Sequence, residues 1–175
     1  MSRKHRLIGI STGVAGVVVV AFVSLPSWCR SRMHRGDNPV IGDMRTMISA
    51  QSVYAFQNGD YYDSPACLAH PSKCLPGWDA SKPAFLGDDL ASLTIRGDYA
   101  RSFHPGPPAP PDEIEARGLS PSSVTTWAYV ARPLRTGWRT FCADARGIIC
   151  HSPGSAGGMP DPKEGVCPAQ CEPLT

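Results

Sequence analysis

The chain begins with an apolar run. Leu7 to Leu25, "LIGISTGVAGVVVVAFVSL", carries no charge over about 19 positions, close to the roughly 20 that an α-helix needs to cross a bilayer. Arg3, Lys4 and Arg6 precede it, and Arg30, Arg32 and Arg35 follow. The pattern predicts an uncleaved membrane anchor. A cleaved export signal has a shorter apolar core and a small-x-small cut site, whereas Pro26, Ser27 and Trp28 follow here. Basic residues on both flanks leave the orientation undecided by charge alone.

The periodicity then changes to that of an amphipathic helix. Asn38 suits a cap, Pro39 the first helical position and Asp43 the positive end of the helix dipole. Val40, Ile41, Met44, Met47, Ile48, Gln51, Tyr54 and Ala55 share one side, with Arg45, Thr46 and Ser49 opposite. Asn58-Gly59 supplies the left-handed stop, and Tyr61 and Tyr62 follow it. Val53 and Phe56 fall off the main stripe; they belong to a wider core face or to an exposed partner surface. These four residues, Val53, Phe56, Tyr61 and Tyr62, are the interaction candidates.

Period-two alternation marks the third region, "TTWAYVARPLRTGWRTFCADARGIICHS". Trp127 and Tyr129 alternate with Ala128 and Val130, Trp138 and Cys142 with Arg139 and Phe141, and Asp144 to Gly147 forms a turn before Ile148 to His151. A three-stranded antiparallel meander is predicted. "DYARSF", Asp98 to Phe103, is a further short strand candidate, "PAFLGDDLASL" a helical turn, and "HPGPPAPPDE" an exposed extended loop.

With 18 prolines and 17 glycines, much of the remainder is expected to be loop. The cysteines then change the picture. Cys29 stands alone near the apolar run, while Cys67/Cys74, Cys142/Cys150 and Cys167/Cys171 form close pairs. An even set downstream of an export-like segment predicts disulfides formed in an oxidising compartment, with proximity favouring these local pairings. That compartment places the C-terminal body outside the cytosol. A net charge of +2, spread without a stripe, excludes a nucleic-acid partner from the expectation.

Candidate chemistry is sparse. Cys67, His70 and Cys74, or Cys142, Cys150 and His151, lack the ligand spacing of familiar zinc sites. "CPAQC", Cys167 to Cys171, has one residue too many for a Cys-x-x-Cys redox motif. His-Glu-x-x-His and phosphate-loop motifs do not occur, and the histidines have no obvious nucleophile partner in sequence. No catalytic residue, metal ligand or cofactor is therefore expected.

The order of parts resembles the type IV pilin-like and pseudopilin proteins of bacteria. "IGDMRTMISAQSVYAFQNGDYY" is similar to the membrane-proximal half of a pilin helix, and "SPSSVTTWAYVARP" with "GWRTFCADARGIICHS" to the closing strands. Around Gly9 and Gly13 the sequence reads "GISTGVAG", without the Phe start and early Glu of a prepilin leader. The resemblance implies an α+β, pilin-like fold with an N-terminal transmembrane helix and an amphipathic helix packed on a small, disulfide-stapled antiparallel sheet. Its parts would be an anchor region over 1–36, a periplasmic domain over 37–151 and a Gly/Pro-rich, cysteine-containing tail over 152–175. It further implies a non-catalytic structural component of a pilus or type II secretion-like system in the bacterial inner membrane, its C-terminal domain periplasmic or extracellular, with other pilin-like subunits or assembly proteins as partners. The alternative is an anchored or secreted ligand-binding module that recognises its ligand through Tyr61, Tyr62, Trp78, Trp127 and Trp138.

Overall fold

The amphipathic stretch is helical. Helix α1 covers residues 38–57 of the computed structural model, which describes residues 38–152 and 158–174. Asn38 is itself helical, so the cap predicted at that position is not made there. The stop is as predicted: Gly59 has φ +61° and Asp60 φ +72°, and the Asp60 amide donates to the Ala55 carbonyl at 2.8 Å. Of the predicted stripe, Val40, Met44, Met47, Gln51, Tyr54 and Ala55 are buried and Ile41 and Ile48 are half-buried.

After α1 come helix α2 (Pro65–Ala69), a 3-10 turn (Pro71–Lys73) and helix α3 (Asp88–Ala91). Ser64 caps α2, its hydroxyl accepting from the Cys67 amide, and Pro65 occupies the first turn, where no amide donor is needed. The sheet comprises β1 (Tyr99–Pro105), β2 (Trp127–Pro133), β3 (Phe141–Asp144), β4 (Ile149–His151) and β5 (Glu172–Pro173), with α4 (Pro111–Arg117) between β1 and β2. Every neighbouring pair is antiparallel and the spatial order follows the chain order.

Register decides what each face buries. Tyr99, Arg101, Phe103, Trp127, Tyr129, Ala131, Phe141 and Ala143 share one face by their pairing. Their apolar members form one cluster with Val40, Met44, Met47 and Tyr54 of α1. The opposite face carries Ala128, Val130, Cys142 and Cys150 and is covered by Met159 and Cys167 of the C-terminal segment. Strand β2 is thus buried on both sides along Trp127 to Ala131.

The expected fold class is corrected. No helix among the described residues is long and apolar enough to cross a membrane, so a transmembrane helix is no part of the described α+β architecture. The stretch that carries that expectation, 7–25, lies outside the described residues, as does Cys29. The sheet has five strands rather than three, because β1 and β5 extend the meander at its two edges. The "HPGPPAPPDE" loop is shorter than predicted: His104 and Pro105 finish β1, Ala109 is buried, and α4 starts at Pro111.

Two of the three predicted disulfide pairings are also corrected. Cys67 is bonded to Cys74 as expected, but Cys142 is bonded to Cys167 and Cys150 to Cys171. Cys142 and Cys150 stand directly opposite each other on β3 and β4. Directly opposed Cβ atoms sit about 4.5–5.5 Å apart, beyond the roughly 3.8 Å mean of a disulfide. Both side chains project from the same face, where the C-terminal segment crosses them. Residues 158–174 are therefore not a loose tail. Arg132 donates to the Met159 carbonyl at 2.6 Å and to Asp161 Oδ1 at 2.7 Å, the Thr126 hydroxyl donates to the Glu164 carbonyl at 2.6 Å, and the Cys167 amide donates to Asp144 Oδ2 at 3.1 Å.

Candidate functional site

Helix α1 has an outward side that the core leaves uncovered. Val53 is 54% and Phe56 81% exposed. A turn of helix brings Val53 and Ala50 to one wall of a cleft of about 460 Å³, whose other wall is Trp78, Lys82 and Phe85. The second wall is anchored from below. Leu75 and Leu86 are buried, and the Phe85 amide donates to the Leu68 carbonyl at 3.0 Å. The Phe85 ring lies 4.8 Å from Trp78 and meets Tyr54 of α1 edge-on at 5.3 Å. The Lys82 ammonium sits 5.3 Å from the Trp78 ring centre, an arrangement attractive through the ring quadrupole.

The inward side of α1 ends in a buried polar cluster around Asp63, which is 0% exposed. Its Oδ2 accepts from the Tyr54 hydroxyl at 3.0 Å, from Ser120 at 2.5 Å and from Ser122 at 3.1 Å, while Oδ1 accepts from the Ser64 amide at 2.7 Å. Gln51 reads the Asp63 backbone in both directions, and Asn58 bonds the Ser120 amide, Ser123 and the Tyr61 carbonyl. Burial, and then the Asp63 charge, push the Tyr54 phenol far above its ordinary range, so it stays a donor. A carboxylate in such a place is held by donors rather than by a cation.

The Cys67–Cys74 disulfide borders this cluster, with Cys67 Sγ 3.5 Å from Ser122 Oγ. One Asp63 oxygen and the two sulfurs lie within 4.8 Å of one another. While the sulfurs are bonded to each other, neither is a thiolate ligand for a metal. The metal sets considered from sequence paired these cysteines with His70. The His70 ring instead faces Asp88 at 3.3 Å. Asp63 was not legible as their neighbour because nothing in local spacing marks it; only the turn after α1 brings it under α2.

The remaining candidates have structural roles. The Tyr61 hydroxyl donates to Glu113 of α4 at 2.8 Å, which raises its pKa, and Arg117 lies over its ring at 5.9 Å. Tyr62 exchanges backbone hydrogen bonds with Val124 and touches the Trp127 ring edge-on at 6.3 Å. Trp127 is buried at the start of β2 and Trp138 packs on Tyr99 at 5.8 Å. The expected recognition surface is therefore not one surface: of its five aromatics only Trp78 lines the cleft.

Two arrangements escaped the sequence. Asp43 of α1 pairs with Arg101 of β1 inside the core, and Arg96 approaches Asp43 at 3.6 Å. On the tail-covered face Ser102 Oγ lies 2.9 Å from His104 Nε2, the i, i+2 spacing of one strand face. Burial lowers the His104 pKa, Asp161 opposes and Arg132 adds to the effect. Asp161 itself is taken by Arg132, so among the described residues no carboxylate orients this ring. A nucleophile-base pair without an orienting group falls short of a hydrolytic triad. Comparison with protein-family models, with curated proteins and with solved structures finds no match for this chain.

Proposed function

We propose that the domain is a non-catalytic assembly module of an oxidising compartment, and that it pairs with a second copy of itself through the outward side of α1. The observation that carries this reading is that a knob and a hole share one helix face. Phe56 projects into solvent, and Val53, one turn before it, lines the apolar cleft. A two-fold interface needs such self-complementarity, because each copy presents the same patch. Antiparallel α1 helices insert each Phe56 into the other copy's cleft against Trp78 and Phe85. The partner is then a like subunit, in keeping with the resemblance to pilin-like proteins, and the disulfides favour an extracytoplasmic setting.

Sedimentation velocity over a concentration series tests the reading. Fully burying one Phe contributes about 1.5–3 kcal/mol, and a two-fold dimer buries two. Phe56→Asp then weakens association by at least about 100-fold and leaves the circular dichroism spectrum unchanged, since the side chain is 81% exposed in the single chain. A chain that is monomeric at every concentration, or a dimer indifferent to Phe56→Asp, refutes it. A second reading, a cleft for a soluble apolar carboxylate, is favoured by Lys82 beside Trp78. It requires a monomer whose Trp78 fluorescence responds to such a ligand, and loss of that response in Lys82→Ala.

A further inference from the structure

The buried cluster ends at an exposed hydroxyl beside a sulfur. Ser122 donates its one proton to Asp63 Oδ2, leaving acceptor lone pairs on an Oγ that stands 3.1 Å from Ser120 Oγ and 3.5 Å from Cys67 Sγ. A disulfide sulfur has no proton to give; a thiol has one. The chain Cys67 S–H to Ser122 O–H to Asp63 carboxylate is complete only when the disulfide is open. Exposure is also graded across the bond, because Cys67 is buried while Cys74 is half-buried. An incoming thiolate reaches Cys74 first, and Cys67 is the sulfur left against the relay.

We propose that Cys67–Cys74 is an exchange-active disulfide, opened by an external dithiol and closed again by Cys67 with Asp63 as proton acceptor through Ser122. In opening, the thiolate of the dithiol forms a bond to Cys74 Sγ, and the Cys67–Cys74 bond breaks with its electron pair on Cys67, which takes a proton. The second thiolate of the dithiol then attacks its own sulfur in the mixed disulfide and expels Cys74. The dithiol leaves as a disulfide, two electrons have passed to the protein, and both cysteines are thiols. Closure takes an external disulfide as the oxidant: the Cys74 thiolate attacks it, and one of its sulfurs leaves as a thiol. In the resulting mixed disulfide Cys67 gives its proton to Ser122 as Ser122 passes its own to Asp63. The Cys67 thiolate attacks Cys74 and the external thiol departs.

The other two bridges lack the relay. Cys142 and Cys167 are both buried between sheet and C-terminal segment, and Asp144, the acid near Cys167, is committed to Arg146 and to the Cys167 amide. Cys150–Cys171 shares the graded exposure, Cys150 buried and Cys171 half-buried, and differs in having no hydroxyl-carboxylate chain against its buried sulfur among the described residues. The sequence separations of these two bridges are 25 and 21 residues against 7 for Cys67–Cys74. The shortest ring restrains the unfolded chain least, so opening it costs the fold the least stability.

Graded dithiothreitol treatment of the folded chain, followed by alkylation with a mass tag and peptide mapping, reads the order of opening. Cys67 and Cys74 are tagged first, with Cys142, Cys150, Cys167 and Cys171 still protected. For closure, the reduced pair is coupled to thionitrobenzoate, and release of the coloured thiol is followed against pH. Ser122→Ala slows release at least about tenfold at neutral pH and makes the rate climb with pH as an unassisted thiol does. Ser122 is exposed, so this variant keeps the fold even where Asp63→Asn does not. Tagging of Cys142, Cys150, Cys167 or Cys171 before Cys67 and Cys74, or a Ser122→Ala variant with the parent's rate and pH profile, overturns the proposal.

Discussion

The interlaced bridges of the C-terminal segment predict a specific non-additivity. Cys142–Cys167 and Cys150–Cys171 overlap along the chain, with separations of 25 and 21 residues. Taken alone, each closes a ring worth about 3.4 kcal/mol in unfolded-chain entropy. With both present the accounting changes, because either cysteine pair is already tethered through the other bridge. Cys142 lies eight positions before Cys150 and Cys167 four before Cys171, so the ring closed by the second bridge has only about 12 residues and stabilises by about 2.8 kcal/mol. Removing one bridge as Cys142→Ala with Cys167→Ala therefore costs about 2.8 kcal/mol, and removing both about 6 kcal/mol, slightly more than twice the single loss. Urea unfolding of the two paired variants and the quadruple variant measures this. A non-reducing tryptic map checks the connectivity without any variant. Cleavage after Arg139, Arg146 and Lys163 yields peptides 140–146, 147–163 and 164–175, which the interlaced bridges join into one three-peptide species. Peptide 140–146 linked only to 147–163, with 164–175 bridged internally, would refute the argument.

Two further outcomes follow from buried polar groups. Arg101→Ala leaves Asp43 buried without its main cation and lowers stability by about 3–5 kcal/mol, whereas replacing both partners by leucine recovers most of that loss; the denaturant midpoints of the three proteins decide it. His104 has a folded pKa below its ordinary 6.5 because burial disfavours the cation, with Arg132 adding to and Asp161 opposing the effect. Between the two pKa values the unfolded chain binds more protons, so stability is fully present above about pH 6.5 and falls as pH drops through the window. His104→Asn flattens this slope, and an unchanged pH dependence of the melting temperature would contradict it.

The parts of this fold that were legible in the sequence are those built from local periodicity. The α1 stripe from Val40 to Ala55, the left-handed stop at Gly59 and the β3–β4 turn at Asp144 to Gly147 each follow from neighbours within a few residues, and each is where the pattern placed it. The rest depends on partners far along the chain. Alternation in Trp127 to Ala131 marks a strand but not what covers it; both its faces are buried, because the Gly/Pro-rich segment after His151 lies across Ala128 and Val130. That segment has no periodicity of its own to betray a docking face; what holds it there is two covalent bonds and the Arg132 and Thr126 hydrogen bonds. Proximity misassigned Cys142 and Cys150 for the same reason: strand register brings them level, but puts both sulfurs on the face that the incoming segment covers. The candidate site divides in the same way. Phe56 and Val53 were marked by leaving a helical stripe, a local signal, whereas Asp63, Ser120 and Ser122 meet only because the chain returns from α4 beneath α2. A carboxylate and two serines about 60 residues apart have no shared motif, and the feature that makes them readable is burial: an anion with no exposure must be surrounded by donors, and those donors end at a sulfur.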